Sequence, residues 1–495
     1  MDVPPENVFD VIIIGAGITG INFAYRLQER LPHLTYVVLE GRHEIGGTWS
    51  YFKYPGIRSD SDLYTFGFPW RPWMQPKAIA EAELILPYMR ESAAMYGIDK
   101  KIRFHHMVET AKWSSPDQNW KLGVRINGEK ETAFKSRFLL FGAGYYDYKE
   151  PLKTYIPGIE NFKGPLVQAQ FYDPTLDYTD KNVVVIGSGA TAVTVVPAMA
   201  EKAKHVIMLQ RSPNYLLSAA SEDSVEVFIR RWLPKTWAHT VIRWKWLWFG
   251  FFMVKMCKFF PNYMTKLLRT LTVAELPPEV SHDPHFKPRY APWEQRMCFC
   301  PNSDFFEAVR QKKASVVTGV IEQVTEDSIR LTDGQVLKPD IIVQATGLKI
   351  QFGGNIDITV DGNPYKINND KFIWKNMMFQ DLPNAAYGIG YVDAAWTLGA
   401  DTAAQMFVRI VKRMERQGVS SVVPTIEKGK EPAEGPSFFK LTSTYVTLGK
   451  KAFPKTGKHP QWAGRSTYMY DLYQAKFGDI VTGMKYVRPP MIKAA

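Results

Sequence analysis

The sequence predicts an α/β protein with two Rossmann-like units and a helical insertion. Two short β-branched runs each end abruptly in a glycine-rich turn that opens a helix. A strongly aromatic, helix-patterned stretch lies between the second of these units and a return to strand texture. At 495 residues the chain exceeds the size at which one core usually stops growing, so several domains are expected. The boundaries read from these textures are 1–150 with 386–495 for the first unit, 151–215 with 302–385 for the second, and 216–301 for the insertion.

In the first unit, Phe9 to Ile14 is a buried-strand pattern, Ile21 to Glu29 is helical, and Tyr36 to Leu39 is a second strand closed by Glu40. Gly15-Ala-Gly-Ile-Thr-Gly20 between strand and helix fits G-x-G-x-x-G. In that motif the glycines permit the turn, the approach of a pyrophosphate and close helix packing. The helix N-terminus supplies N–H groups and partial positive charge for the diphosphate, and Glu40 stands where a carboxylate binds a ribose hydroxyl. Gly15, Gly17, Gly20 and Glu40 are therefore candidate cofactor residues.

The arrangement returns 172 residues later. Asn182 to Ile186 enters Gly187-Ser-Gly-Ala-Thr-Ala192, a helix follows, and Val206 to Leu209 leads to Gln210, Arg211 and Ser212. Gly187, Gly189, Ala190 and Thr191 form the second candidate turn. No carboxylate occupies the position equivalent to Glu40. A guanidinium at Arg211, beside Ser212, can hold a ribose 2′-phosphate that an acid would repel, so this unit is expected to take NADPH rather than NADH. Opposite ribose chemistry at the two sites implies two cofactors, a tightly held FAD and an exchanging NADPH.

Beyond these turns, Gly46-Gly47-Thr48-Trp49 followed by Tyr54-Pro-Gly-Ile-Arg58-Ser-Asp60 resembles the Baeyer–Villiger pattern GGxWxxxxYPGxxxD. Ala345-Thr346-Gly347 resembles the connection near the domain crossover of the same proteins, and Pro292-Trp-Glu-Gln-Arg296 their active-site arginine segment. The chain thus resembles class B flavoprotein monooxygenases, the Baeyer–Villiger and flavin-containing monooxygenases, over nearly its whole length. It is most similar to the ethionamide-activating subgroup, through Arg58 to Tyr64 and Trp293 to Asp304. The resemblance implies that NADPH reduces FAD and that the reduced flavin captures O2 as a C4a-peroxide. One oxygen atom then passes to an apolar ketone, giving an ester or lactone, or alternatively to sulfur or nitrogen. It adds Gly47, Thr48, Trp49, Asp60, Thr346 and Gly347 to the cofactor candidates. Arg296 is the expected catalytic charge, with Asp60 holding it in position. One motif departs from the pattern. The linker fingerprint FxGxxxHxxxW(P/D) keeps Phe162, Gly164 and Asp173 but has Gln168 for histidine and Tyr172 for tryptophan.

Composition sets the remaining limits. With 45% apolar and 22% charged residues the chain is of ordinary globular type. The net charge of +12 suits polyphosphate cofactors, and no basic tract favours nucleic acid. Cys257, Cys298 and Cys300 are too few for a disulfide framework, and the C-x-C pair fits neither a zinc site nor a redox C-x-x-C, so no metal is expected. A flavin disulfide reductase and a non-catalytic nucleotide sensor are the rival classes. Residues 1–10 lack an export pattern and no run reaches the ~20 apolar residues of a membrane span, so a cytoplasmic location is expected. The aromatic stretch 243–260 has two readings. Apolar almost all round, it reads as buried core or as a lining for the substrate. With Arg243, Lys255 and Lys258 on one side, it reads as a peripheral membrane contact. The oligomeric state is left open.

Overall fold

The computed structural model describes residues 2–489. Strand β1 (Val8–Ile14) runs into helix α1 (Ile18–Arg30), and β2 (Tyr36–Leu39) returns parallel to β1. An antiparallel meander of β3 (His106–Ser114), β4 (Asn119–Ile126) and β5 (Lys130–Phe141) brings β5 parallel against the other side of β1. The last four residues of β1 and all of β2 are buried, as expected of parallel strands covered on both faces.

The same sheet takes strands from much later in the chain. Asp357–Val360 pairs parallel with β3, Asn363–Tyr365 folds back on it, and Ala385–Tyr387 pairs with β5. This corrects the expected boundary: within 357–387, read from sequence as second unit up to residue 385, Asp357–Val360, Asn363–Tyr365 and Ala385–Tyr387 join the first sheet, while Ile373–Trp374 and Met378–Phe379 pair with each other. The pattern of short strands gives no sign of which sheet they join, because pairing partners are chosen by tertiary contact.

The second unit is a five-stranded, all-parallel sheet centred on β6 (Asn182–Ile186), which feeds helix α2 (Ala190–Ala200) and is flanked by β7 (His205–Gln210). Ala314–Thr318 extends it beyond β7, while Ile341–Gln344 and then Leu166–Gln168 extend it on the other side. Ile329–Leu331 forms a small antiparallel sheet with Ile321–Val324 and Val336–Leu337.

Between a parallel pair of strands, Leu216–Ala219 and Cys298–Pro301, the insertion folds as α3 (Ser224–Trp232), α4 (Lys235–Phe259) and α5 (Pro261–Glu275). Within α4 only Ala238, His239, Ile242, Val254 and Cys257 are buried, so the reading of this stretch as core is overturned. Apolar residues occupy both faces, but only one face meets the protein. Arg243, expected on the membrane side, turns inward and donates to the backbone carbonyls of Tyr64 and Gly67. Finally α6 (Trp396–Gln417) packs on α1, where the buried Asp401 carboxylate takes the Arg26 guanidinium at 2.7 Å.

Candidate active site

A cavity of about 1070 Å³ runs between the two glycine turns. That exceeds the ~300–1,000 Å³ of a single small-ligand pocket. The turns are built alike. Gly15 has φ +96°, and a Cβ there would lie 2.9 Å from the Gly142 carbonyl oxygen. Gly187 has φ +145°, and its Cβ would lie 2.3 Å from the Ala345 oxygen. Backbone conformation and crowding both demand glycine at these two positions. Gly20 is required for packing, since its Cβ would sit 1.9 Å from the Gly15 oxygen.

Gly17 and Gly189 differ in kind. Their φ angles are −76° and −85°, which any residue adopts, and a Cβ would meet nothing nearer than 3.5 Å at Gly17 and nothing within 4 Å at Gly189. Neither the fold nor the neighbours forbid a Cβ, which would be in ordinary contact with Gly47 at Gly17 and in open space at Gly189; without one, the backbone at both turns stays open to a ligand. Both residues cap helices, α1 and α2, whose N-termini have no side-chain cap, so their first N–H groups face the cavity without a protein acceptor. A pair of diphosphate groups fits this arrangement.

Of the cofactor and catalytic candidates, Gly20 alone stays out of the cavity wall. Glu40 is buried and accepts from the backbone N–H groups of Ala16 at 2.7 Å and Arg42 at 3.0 Å. A carboxylate has capacity for further donors, so a ribose hydroxyl remains compatible with both bonds. Gly47 packs against Gly17, Trp49 meets Phe66 edge-on at 5.6 Å, and the Thr48 hydroxyl lies 3.4 Å from that of Tyr148. On the other unit Arg211 is exposed at the cavity edge, with Nη2 3.3 Å from the Thr444 hydroxyl, and Ser188 donates to the Ser212 carbonyl. The Thr346 hydroxyl is 3.0 Å from that of Thr154, and Gly347 passes under Tyr445.

Arg296 reaches the cavity between the two units. Its Nη2 donates to the Ser61 hydroxyl at 2.9 Å. Asp60 acts on it by charge, without a hydrogen bond, which corrects the expected direct clamp. Burial works against the Arg296 charge, but Asp60 is the largest opposing influence and the balance lies above the ordinary arginine range, so the guanidinium stays charged. Burial also raises the Asp60 carboxyl above its ordinary range, a shift that Arg296 and Arg58 offset only in part. Arg58 itself is paired with Asp304.

Sequence reading missed the aromatic wall opposite Arg296. Tyr145 stacks on Trp396 with centroids 4.7 Å apart, its hydroxyl lies 2.5 Å from that of Tyr146, and Trp396 donates to Thr19 at 3.0 Å. Burial raises both tyrosines well above their ordinary range, keeping the hydroxyls protonated. Arg42 was also missed; it donates to the Gly47 carbonyl and lies over the rings of Tyr51 and Tyr148. Its place two residues after Glu40 was the only available signal.

A family model described as flavin-binding monooxygenase-like matches residues 9–432. The chain belongs to that family. It is 42% identical over 483 residues to the FAD-containing monooxygenase EthA of Mycobacterium tuberculosis, covering 97% of this chain and 98% of the relative. It is 38% identical over 478 residues to the probable FAD-binding monooxygenase AlmA of Acinetobacter baylyi, covering 96% and 95%. Among solved structures, a polycyclic ketone monooxygenase from Thermothelomyces thermophila superposes with a TM-score of 0.74 at 18% identity, over 99% of this chain and 91% of that one. An oxidized steroid monooxygenase bound to NADP gives 0.73 at 19%, over 97% and 100%. At such identities these two share the fold. The protein is a flavoprotein monooxygenase, and the FAD and NADP expectation agrees with these relatives. The disulfide reductase and sensor readings fall with that membership. Consistently, Cys298 and Cys300 are free, buried thiols pushed well above their ordinary range, the reverse of a reactive thiolate.

Proposed function

We propose that this monooxygenase uses NADPH and O2 to insert one oxygen atom into an apolar ketone, giving an ester or lactone. The observation that carries the reading is the half-buried, charged Arg296, which shares a cavity with an aromatic wall and two uncapped helix N-termini. In this reading FAD lies along Gly15, Gly17 and Gly47 to Trp49, with its ribose on Glu40. NADPH lies along Gly187 to Thr191, with its 2′-phosphate on Arg211. Flavin bound there and reduced by NADPH supplies the activation of O2 and the transferable oxygen atom.

The chain's own residues supply the rest. Arg296 places a fixed positive charge where negative charge develops during attack on a carbonyl. Ser61 orients the guanidinium, and Asp60 sustains its charge. Tyr145, Tyr146 and Trp396 give the substrate a flat apolar surface. A second reading, oxygenation of a soft sulfur or nitrogen atom, draws on the Tyr145–Tyr146 hydroxyl pair: kept protonated beside Arg296, it offers the proton-bearing environment that a heteroatom acceptor calls for.

NADPH oxidation, O2 uptake and peroxide release, measured together with and without linear, cyclic and aryl ketones and thioethers, test both readings. Ester or lactone formed in step with NADPH consumption supports the first. Sulfoxide from thioethers with no ester from any ketone replaces it with the second, and peroxide alone in every case rejects both.

A further inference from the structure

Among the described residues, eighteen of the thirty-two large apolar side chains that stand exposed lie between Val225 and Val273, on or at the ends of α3, α4 and α5. On α4 they form one stripe. Trp237, Val241, Trp244, Trp248, Phe252 and Phe259 recur at three-, four- and seven-residue steps, which at 100° per residue keeps them within about a quarter of the circumference of a helix ~37 Å long. Trp237 is 66% exposed and Phe259 70%. Phe228 and Trp232 on α3 and Tyr263 just inside α5 stand exposed as well. Among the described residues none of these side chains lines the central cavity.

The stripe is held outward by what binds the opposite face. Arg243 donates to the Tyr64 and Gly67 carbonyls, and Lys245 and Trp246 both meet the buried Glu226 of α3. These bonds fix the rotation of α4, so the aromatic face cannot roll into the protein. Patches of this extent mark a contact with something else.

Charge selects the occupant. From Arg230 to Arg269 the sequence has nine Lys or Arg and no Asp or Glu. Lys255 shares the exposed stripe, lying over the rings of Phe251 and Phe259, and Lys235, Lys258, Lys266 and Arg269 are exposed around it. A second copy docked by two-fold symmetry would set these cations against themselves. Among the described residues no helix is long and apolar enough to cross a membrane. We propose that α3 to α5 form a peripheral docking surface for an anionic lipid bilayer, with α4 lying in the interface plane. Tryptophan and phenylalanine then enter the headgroup boundary while the lysines meet lipid phosphates.

Flotation of the FAD-loaded enzyme with phosphatidylcholine vesicles, with or without phosphatidylglycerol, tests this, together with quenching of tryptophan fluorescence by brominated acyl chains. Binding to the anionic vesicles, weakened by salt and accompanied by quenching, is expected. The triple variant Trp244→Ser, Trp248→Ser, Phe252→Ser should lose affinity on the order of tenfold or more while keeping flavin content and turnover of a water-soluble substrate. Lys255→Glu with Lys258→Glu should also weaken binding on the order of tenfold. An enzyme that stays unbound at low salt overturns the proposal. So does a triple variant that floats as well as the parent. Sedimentation showing a dimer that this variant abolishes, without vesicle binding, assigns the face to a second copy and overturns it too.

Discussion

Arg296 donates to the Ser61 hydroxyl at 2.9 Å, while Asp60, the preceding residue, reaches the same guanidinium only through charge. Orientation and electrostatic support thus come from two adjacent side chains. The division makes them separable by mutation.

Arg296→Ala should retain FAD and still oxidise NADPH, yet lose ketone oxygenation by about two orders of magnitude or more, with reducing equivalents appearing as hydrogen peroxide. Sulfoxidation should suffer less. Ester formation at the parental rate would remove Arg296 from the chemistry.

Ser61→Ala should cost on the order of tenfold in kcat, the worth of one hydrogen bond to a charged group. KM should change little, because the residue orients Arg296 and does not touch substrate. Ser61→Thr, which keeps the hydroxyl, should recover most of the coupling between NADPH use and product. Loss in both variants alike would point to packing instead.

Gly17 and Gly20 should respond oppositely to enlargement. Gly17→Val keeps an ordinary φ and its Cβ makes only ordinary van der Waals contact with Gly47, so the protein should fold but be purified without its yellow colour. Gly20→Ala places a methyl 1.9 Å from a backbone oxygen and should lower thermal stability or yield before any flavin effect is read. Full flavin occupancy in folded Gly17→Val would detach the first turn from the cofactor.

Arg211→Ala should erase most of the preference for NADPH over NADH through a higher NADPH KM. A charge-assisted contact to phosphate is worth ~1.5–3 kcal/mol, or about one to two orders of magnitude. Its exposed position at the cavity edge leaves the guanidinium free to move onto a 2′-phosphate. An unchanged coenzyme ratio would assign that role to another cation.

The glycine turns were legible because their requirements are local: a positive φ at Gly15, crowding at Gly20 and space at Gly17 all arise within one strand–turn–helix unit. The wall around Arg296 was not legible, since Ser61, Tyr145, Trp396 and Tyr445 come from four separate stretches that only tertiary folding brings together. Composition misled at α4. Apolar residues on every side suggested burial, but which face is covered depends on the partners that hold Arg243 and Lys245. The stretch 357–360 fell within the range given to the second unit for a related reason, as its side-chain pattern suits either sheet.

Gln168 and Tyr172, which depart from the linker fingerprint, lie in distinct settings. Gln168 ends the edge strand of the second sheet, lines the cavity and donates to Gln344 at 2.8 Å. Tyr172 is buried, its hydroxyl has no hydrogen-bond partner among the described residues, and burial pushes it up to about 12. Gln168→His with Tyr172→Trp should therefore alter the rate of flavin reduction and the coupling ratio more than flavin content. An imidazole at 168 can take up a proton near neutral pH, which an amide cannot, and its charge would face the cavity. The tryptophan substitution alone should be nearly silent in kinetics, because the side chain it replaces is outside the cavity wall and donates to nothing. The single and double variants, compared by stopped-flow reduction and by product formed per NADPH, separate the two positions. An effect residing wholly in Tyr172→Trp would show that the linker acts through packing; equal rates and coupling in all four proteins would show that the departure carries no functional consequence.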